Sequence, residues 1–321
     1  MRIKRTLQPY VLNDKINFGF GNISLERDIE STPNNIELIK KLDKDLDIST
    51  LTEEERKLVG TMLDQGLLTV NTYDDSKFSR NINFYEWVDM SSNLNPEIYQ
   101  EKLSQSRVLI VGVGGIGSTV VEILARLGIG TFVIVDFDVV EESNLTRQSG
   151  FTKNDVGKSK VDVIKNHIMN ISDSDVIALN KKIDSKQDLK DIFSDYNFDI
   201  AICCADTPVV EIDYWFDDLS HEYNVPIIVG SYASTVVNYL HIVPNKTISL
   251  REFYAKFMIT DDHILESSIP YSVVSPVSYM AAAIISYKVL DSITGLLNIS
   301  DYIQIDLLGW GIYTHDIKKI Q

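Results

Sequence analysis

RVLIVGVGGIGSTVVEILARLGIGTFVIVDF, residues 107–137, decides the fold. After Arg107, Val108 to Val111 form an apolar run that stops at glycines, the pattern of a strand buried on both faces. Ser118 to Leu127 then has helical spacing, and Thr131 to Val135 is a second buried run. Between them stand Gly112, Gly114, Gly115 and Gly117 in a G-x-G-G-x-G order, after a strand and at the opening of a helix. Glycines there let the backbone turn tightly and approach phosphate, whose charge sits at the helix N-terminus. Asp136 ends the second strand, 19 residues beyond Gly117, where a carboxylate accepts bonds from ribose hydroxyls. Nucleotide binding is the reading of this unit.

Working outward, a helix follows Lys158. Strands are expected near Val176 to Leu179, Asp199 to Cys204 and Pro226 to Gly230. A long helix is expected after Pro276, and the tail DYIQIDLLGWGIYTH alternates like an antiparallel strand pair. The class is α/β, Rossmann-like, with a mostly parallel sheet and helices on both faces. Residues 75–105 read as a connector ending in a helix. Ahead of it, residues 1–74 carry short alternating runs, then two helices. One opens at Thr32-Pro33 and the other at Thr52, with Glu55 forming a capping box. Strands, helices and the short LLTV run suggest a small winged-helix-like module. The domains are thus 1–74 and 75–321.

With 321 residues, 44% hydrophobic and 24% charged, the composition suits a folded chain. No apolar run is long enough for a membrane span and no signal-peptide pattern is present, so a cytoplasmic enzyme without a membrane partner is expected. A net charge of −16 speaks against broad nucleic-acid binding. Residues 44–74 carry just Lys44, Arg56 and Lys57 as basic residues, which speaks against a DNA-binding winged helix. The two cysteines, Cys203 and Cys204, are adjacent and cannot build a disulfide framework or a four-thiolate zinc site. No zinc is expected, and the five histidines are scattered, His263 among acidic neighbours included.

The segment after the second strand separates one class of nucleotide enzyme from another. Asp136-x-Asp138-x-Val140-x-x-Ser143-Asn144-Leu145-x-Arg147-Gln148, then Val156-Gly157-x-x-Lys160, then Asp206 after the fourth strand, closely resembles the ThiF/MoeB/HesA superfamily. That superfamily is related to the adenylation domain of ubiquitin-activating enzymes, and the resemblance spans about residues 77 to 295. It implies ATP with Mg²⁺, and it implies roles. Arg147 and Lys160 would grip the triphosphate and offset charge as pyrophosphate leaves. Asn144 and Gln148 would orient phosphate or acceptor, and Asp136 and Asp138 would serve the nucleotide. Asp206 would hold Mg²⁺ through ATP and orient the acceptor; a helix cap is its competing explanation. Lys77-Phe78-Ser79-Arg80-Asn81 resembles the family's RYxRQ segment, which implies a homodimer with Arg80 acting in trans.

The extra N-terminal module resembles that of peptide-modifying members of the microcin-C maturation and pantocin types. There, a precursor peptide binds the module by strand addition. An adenylyltransferase that activates a carboxylate or carboxamide of a ribosomally made peptide is therefore expected, in peptide-antibiotic biosynthesis. Cys203 and Cys204, inside an apolar strand, offer no nucleophile for a thioester relay. A sulfur-carrier adenylyltransferase, a dehydrogenase and a non-catalytic substrate presenter stay open as alternatives.

Overall fold

The computed structural model describes residues 1–20, 25–44, 46–257 and 272–319. Residues Met1–Lys102 and Leu103–Gln321 form two compact units. In the first, β1 (Arg2–Ile3) precedes an antiparallel meander of β2 (Tyr10–Leu12), β3 (Lys15–Phe18) and β4 (Arg27–Glu30). Helices α1 (Pro33–Leu42) and α2 (Glu53–Asp64) follow, and β5 (Leu68–Thr69) pairs with β1. Both helices start at their sequence signals. The Thr32 hydroxyl accepts from the Asn35 N–H at 3.1 Å with Pro33 in the first turn. Thr52 and Glu55 satisfy each other's backbone N–H groups at 3.2 and 2.9 Å. Their apolar stripes bury Leu38, Leu42, Val59 and Met62 against Ile3 and Phe18, with Leu58 and Leu63 packed alongside.

Residues 75–105 carry two helices where the sequence suggests one, α3 (Ser79–Val88) and α4 (Glu97–Gln105). The reason is a long-range polar anchor. Glu86 of α3 is fully buried and accepts from Thr6 Oγ1 at 2.6 Å, Tyr73 Oη at 2.8 Å and Asn71 Nδ2 at 3.0 Å. A buried carboxylate needs such donors, so α3 is held to the turn at Arg5–Leu7 and to the segment after β5, and the first unit runs on to Lys102.

In the second unit, the apolar runs become β6 (Arg107–Val111), β7 (Thr131–Val135), β8 (Asp175–Leu179), β9 (Ile200–Cys203) and β10 (Ile227–Ala233). They are connected by α5 (Gly117–Leu127), α6 (Lys160–Ile171), α7 (Lys186–Asp195) and α8 (Glu211–Tyr223). All four neighbouring pairs are parallel, in the order β10-β9-β6-β7-β8. Side chains alternate between two buried faces. Leu109, Val111, Val133 and Val135 pack with Phe216 and Leu219 of α8, while Val108, Ile110, Phe132 and Ile134 are equally buried on the other face.

Beyond β10 the sheet turns antiparallel through β11 (Val236–Ile242). After α9 (Leu250–Phe257) and α10 (Ser275–Thr294), the tail adds β12 (Tyr302–Asp306) and β13 (Gly311–Thr314) as the expected antiparallel pair. No described helix is long and apolar enough to cross a membrane.

The chain leaves β6 towards β7 and β8, then returns past β6 to β9 and β10. The strand order therefore reverses between β6 and β9, and open α/β sheets bind ligands outside the carboxyl ends of strands at such a point.

The antiparallel extension is fastened by a buried charge network. Lys288 Nζ, on α10, lies 3.0 Å from Asp291 Oδ2, 3.0 Å from Asp301 Oδ1 and 2.7 Å from the Ile299 carbonyl. Asp291 also accepts from the backbone of Leu297, Asn298 and Ile299, closing the C-terminus of α10. Removing the cation leaves buried Asp291 and partly buried Asp301 without their shared positive charge. Lys288→Met is expected to lower the unfolding free energy by about 3–5 kcal/mol, read by urea denaturation. A loss below about 1 kcal/mol would mean that the network contributes little.

Candidate nucleotide site

The loop after β6 and the loop after β9 flank the switch point, and glycines are what let them meet. Gly112 has φ +88°, and a β-carbon there would lie 2.8 Å from the Cys204 backbone. At Gly117 a β-carbon would lie 1.9 Å from the Gly112 carbonyl oxygen, so only glycine fits. The tight turn brings backbone N–H groups to the start of α5, the polarity that suits phosphate. Asp136 braces this loop: one carboxylate oxygen accepts from the Val113 N–H at 2.8 Å and the other from the Asp138 N–H at 2.9 Å. Gly114 stands beside Gln148, whose amide nitrogen is 3.8 Å from a β-carbon built there, and Gly115 faces the Tyr232 hydroxyl.

The cations come from the segments after β7. Lys160 has a side chain just 7% exposed, and its Nζ lies 2.8 Å from Asp138 Oδ2, itself 48% exposed. Asp138 thus holds Lys160 in place, a partnership 22 residues apart that the motif does not spell out. The Val140–Lys158 and Gly157–Val140 backbone bonds, each 2.8 Å, pin the two segments together.

Asn144 is buried, and its Oδ1 accepts from the Glu141 N–H at 3.0 Å, capping the short turn Glu142–Thr146. That turn delivers Arg147, whose Nη1 donates to the Ser143 carbonyl at 3.2 Å and whose own carbonyl accepts from Ser278 Oγ at 3.0 Å. Arg147 Nε, Gln148 Oε1 and Ser159 Oγ are buried without a protein partner. Such atoms cost on the order of 1–3 kcal/mol each unless something satisfies them. A guanidinium N–H can donate to a phosphate oxygen, and Arg147 with Lys160 places two cations on the segments after β7, a donor set that fits a nucleoside triphosphate.

Asp206 lies just past β9, exposed, with Thr207 Oγ1 3.3 Å from its Oδ1. The cap explanation for it falls away: α8 starts at Glu211 after Val210, with no side chain capping it. Among the described residues no three His, Cys, Asp or Glu side chains gather to hold a metal. An exposed carboxylate such as Asp206 has the chemistry to give one oxygen ligand to a cation that phosphate oxygens also hold. His263 lies outside the described residues. Arg80 belongs to the first unit, exposed on the first turn of α3. Burial pushes both thiols up, Cys204 to about 12 and Cys203 well above the ordinary range, which leaves neither as a thiolate.

A family model described as ThiF family matches residues 78–319. The chain belongs to the ThiF family. Among curated relatives, adenylyltransferase and sulfurtransferase UBA4 of Meyerozyma guilliermondii is 33% identical over 133 residues, 41% of this chain and 30% of that protein. The tRNA threonylcarbamoyladenosine dehydratase of Bacillus subtilis is 36% identical over 129 residues, 40% of this chain and 49% of that protein. The match thus spans less than half the length of either relative. Among solved structures, E. coli MccB with ATP superposes with a TM-score of 0.80 at 23% identity, covering 99% of this chain and 97% of that one. PaaA superposes with a TM-score of 0.78 at 21% identity, covering 98% of this chain and 100% of that one. At these identities the likeness is one of fold.

In this ThiF-family site, several supporting residues escape the motif. Ser118 Oγ donates to the Gly114 carbonyl at 2.7 Å and accepts from the Ser149 N–H at 3.2 Å. Ser149 Oγ donates in turn to Glu122. These contacts tie the glycine loop to the Arg147 segment; the one sequence hint is that Ser118 and Glu122 stand one turn apart on a mostly apolar helix. Next to Asp206, Val210 adopts φ +64°, strained for a β-branched residue. Val210→Gly is expected to raise stability by about 1 kcal/mol in thermal unfolding, since strain of this kind costs about 1–3 kcal/mol against glycine's entropy penalty. A lowered melting temperature would show that the strain is relieved elsewhere.

Proposed function

We propose that this ThiF-family chain is an ATP-dependent adenylyltransferase that activates a carboxylate or carboxamide of a ribosomally made precursor peptide, in the maturation of a bacteriocin-like product. The observation that carries the nucleotide half is the glycine loop at the switch point, where Gly117 has no room for a β-carbon and the segment bearing Arg147 is tied to the loop through Ser149 and Ser118. The acceptor oxygen attacks the α-phosphorus, the bond to the β-phosphate oxygen breaks, and pyrophosphate leaves. Arg147 and Lys160 hold the departing charge, Asp206 orients the acceptor and contributes to Mg²⁺, and Asp136 serves the ribose. Bound Mg²⁺ supplies charge neutralisation on the phosphates.

The peptide half is supported by the first unit. Its β2 is an edge strand, with Val11 56% and Leu12 54% exposed, the kind of edge an extended peptide joins. Solved structures similar to this chain include the microcin C7 biosynthetic enzyme MccB in complex with N-formylated MccA, at a TM-score of 0.82. We read the assembly as a homodimer in the cytoplasm, with Arg80 of one copy reaching the phosphates bound by the other. The names of UBA4 and of the Mycobacterium tuberculosis adenylyltransferase/sulfurtransferase MoeZ favour a second reading, adenylation of a sulfur-carrier protein.

The test is pyrophosphate release from ATP·Mg²⁺ by the full chain with either of two acceptors. One is a short peptide encoded beside it, and the other is a diglycine-ended carrier protein. Release with the peptide supports the first reading and release with the carrier the second. ATP binding without release in either case would make the chain a substrate presenter.

A further inference from the structure

Three neighbouring strands share one register row at the carboxyl edge of the sheet. Val111 of β6 pairs with Cys203 of β9, and Cys203 pairs with Val229 of β10. Three residues beyond that row stand Gly114, Asp206 and Tyr232. The chain treats the three differently. β6 ends at Val111 and β9 at Cys203, whereas β10 continues to Ala233, paired to β11 through Tyr232↔Val237. Tyr232 therefore overhangs the ends of its neighbours on a regular, hydrogen-bonded strand instead of a loop, a rigid mount for a side chain.

Its direction is specific. From a β-carbon built on Gly115, the Tyr232 hydroxyl oxygen is 2.9 Å away, and the nearest ring carbons are 3.6 and 3.7 Å away. The oxygen leads and the ring trails, the reverse of a packing contact, in which ring carbons lie against the backbone. On the same loop, Gln148 reaches Gly114; it is 8% exposed and its Oε1 has no partner. Two polar side chains thus converge on the glycine turn, one from the segment after β7 and one from β10.

We propose that Tyr232 is a positioning residue of the nucleotide site, its phenol hydroxyl donating a hydrogen bond to the α-phosphate held at the glycine loop. The proposal deepens the adenylation reading and rests on it. A neutral phenol donates without adding charge, so it fixes the phosphate while Arg147 and Lys160 supply the cations. The α-phosphate is the group assigned because it is the one common to the reaction on both sides: it joins the ribose and receives the acceptor.

The experiment compares wild type with Tyr232→Phe in the full-length protein, by calorimetric titration with ATP, AMP and adenosine, alongside thermal melting. The variant keeps the ring and is expected to melt with wild type. Losing a hydrogen bond to a charged acceptor is expected to weaken ATP and AMP about tenfold or more, leaving adenosine within about twofold. Unchanged affinity for ATP and AMP would overturn the assignment, as would an equal loss for adenosine, which would make the contact one of packing. A wild type that binds none of the three would sink the adenylation reading and this proposal together. The wild-type titration alone identifies that case.

Discussion

Asp206→Ala is expected to lower acceptor-dependent pyrophosphate release by about 10²–10³-fold while ATP still binds within a few-fold of wild type. The split arises from where the residue stands. Asp206 lies past β9, on the far side of the switch point from Lys160 and Arg147, and it is exposed with one hydroxyl neighbour at 3.3 Å. It braces no helix and fills no core, so its removal should move the unfolding free energy by no more than about 0.5 kcal/mol. A catalytic loss with intact folding and binding is the signature of a group that acts on the acceptor or the cation. Full activity in the variant would remove Asp206 from the mechanism. A parallel loss of stability would recast it as structural.

Arg147→Lys is expected to be nearly as damaging, with turnover down by about 10²-fold although the charge is kept. The guanidinium offers a fork of donors in a plane. Nη1 is spent on the Ser143 carbonyl, which fixes the plane, and Nε stays buried without a protein acceptor. An ammonium can replace the charge but not both directions at once. The lost bond to Ser143 should cost about 1 kcal/mol of stability, far less than the kinetic effect. Steady-state kinetics with ATP·Mg²⁺ decide it: a variant retaining more than a third of wild-type turnover would show that Arg147 supplies charge alone.

Local signals are legible in the sequence because local chemistry governs them. Thr32, Thr52 and Glu55 cap helices through bonds that span three residues, so neighbours in sequence are enough. The same holds for the glycine turn, where Gly117 has no room for a β-carbon against Gly112. Apolar runs such as Arg107–Val111 and Ile200–Cys203 announce parallel strands because both of their faces are covered. The motif also leads to Arg147, Gln148 and Lys160, and the structure leaves buried, unpartnered atoms on the first two.

Other roles depend on partners remote in the chain. Nothing in residues 79–88 announces that Glu86 will be buried under Thr6 and Tyr73, 80 and 13 positions away. Asp138 reads as a nucleotide ligand, and the fold gives it to Lys160. The resemblance gives Asn144 the task of orienting phosphate or acceptor, and the fold shows its Oδ1 capping the turn that carries Arg147. Tyr232 carries no signal of its own, since its place over Gly115 comes from β10 outrunning β6 and β9. The sequence by itself determined the parallel strands and the glycine turn, because periodicity and short-range hydrogen bonds fix them, and the candidate phosphate-binding residues came from the family resemblance of the motif. Tertiary structure alone decided which polar groups support one another and which are left without a protein partner. That division depends on strand order and register, which bring together residues whose separation along the chain carries no signal.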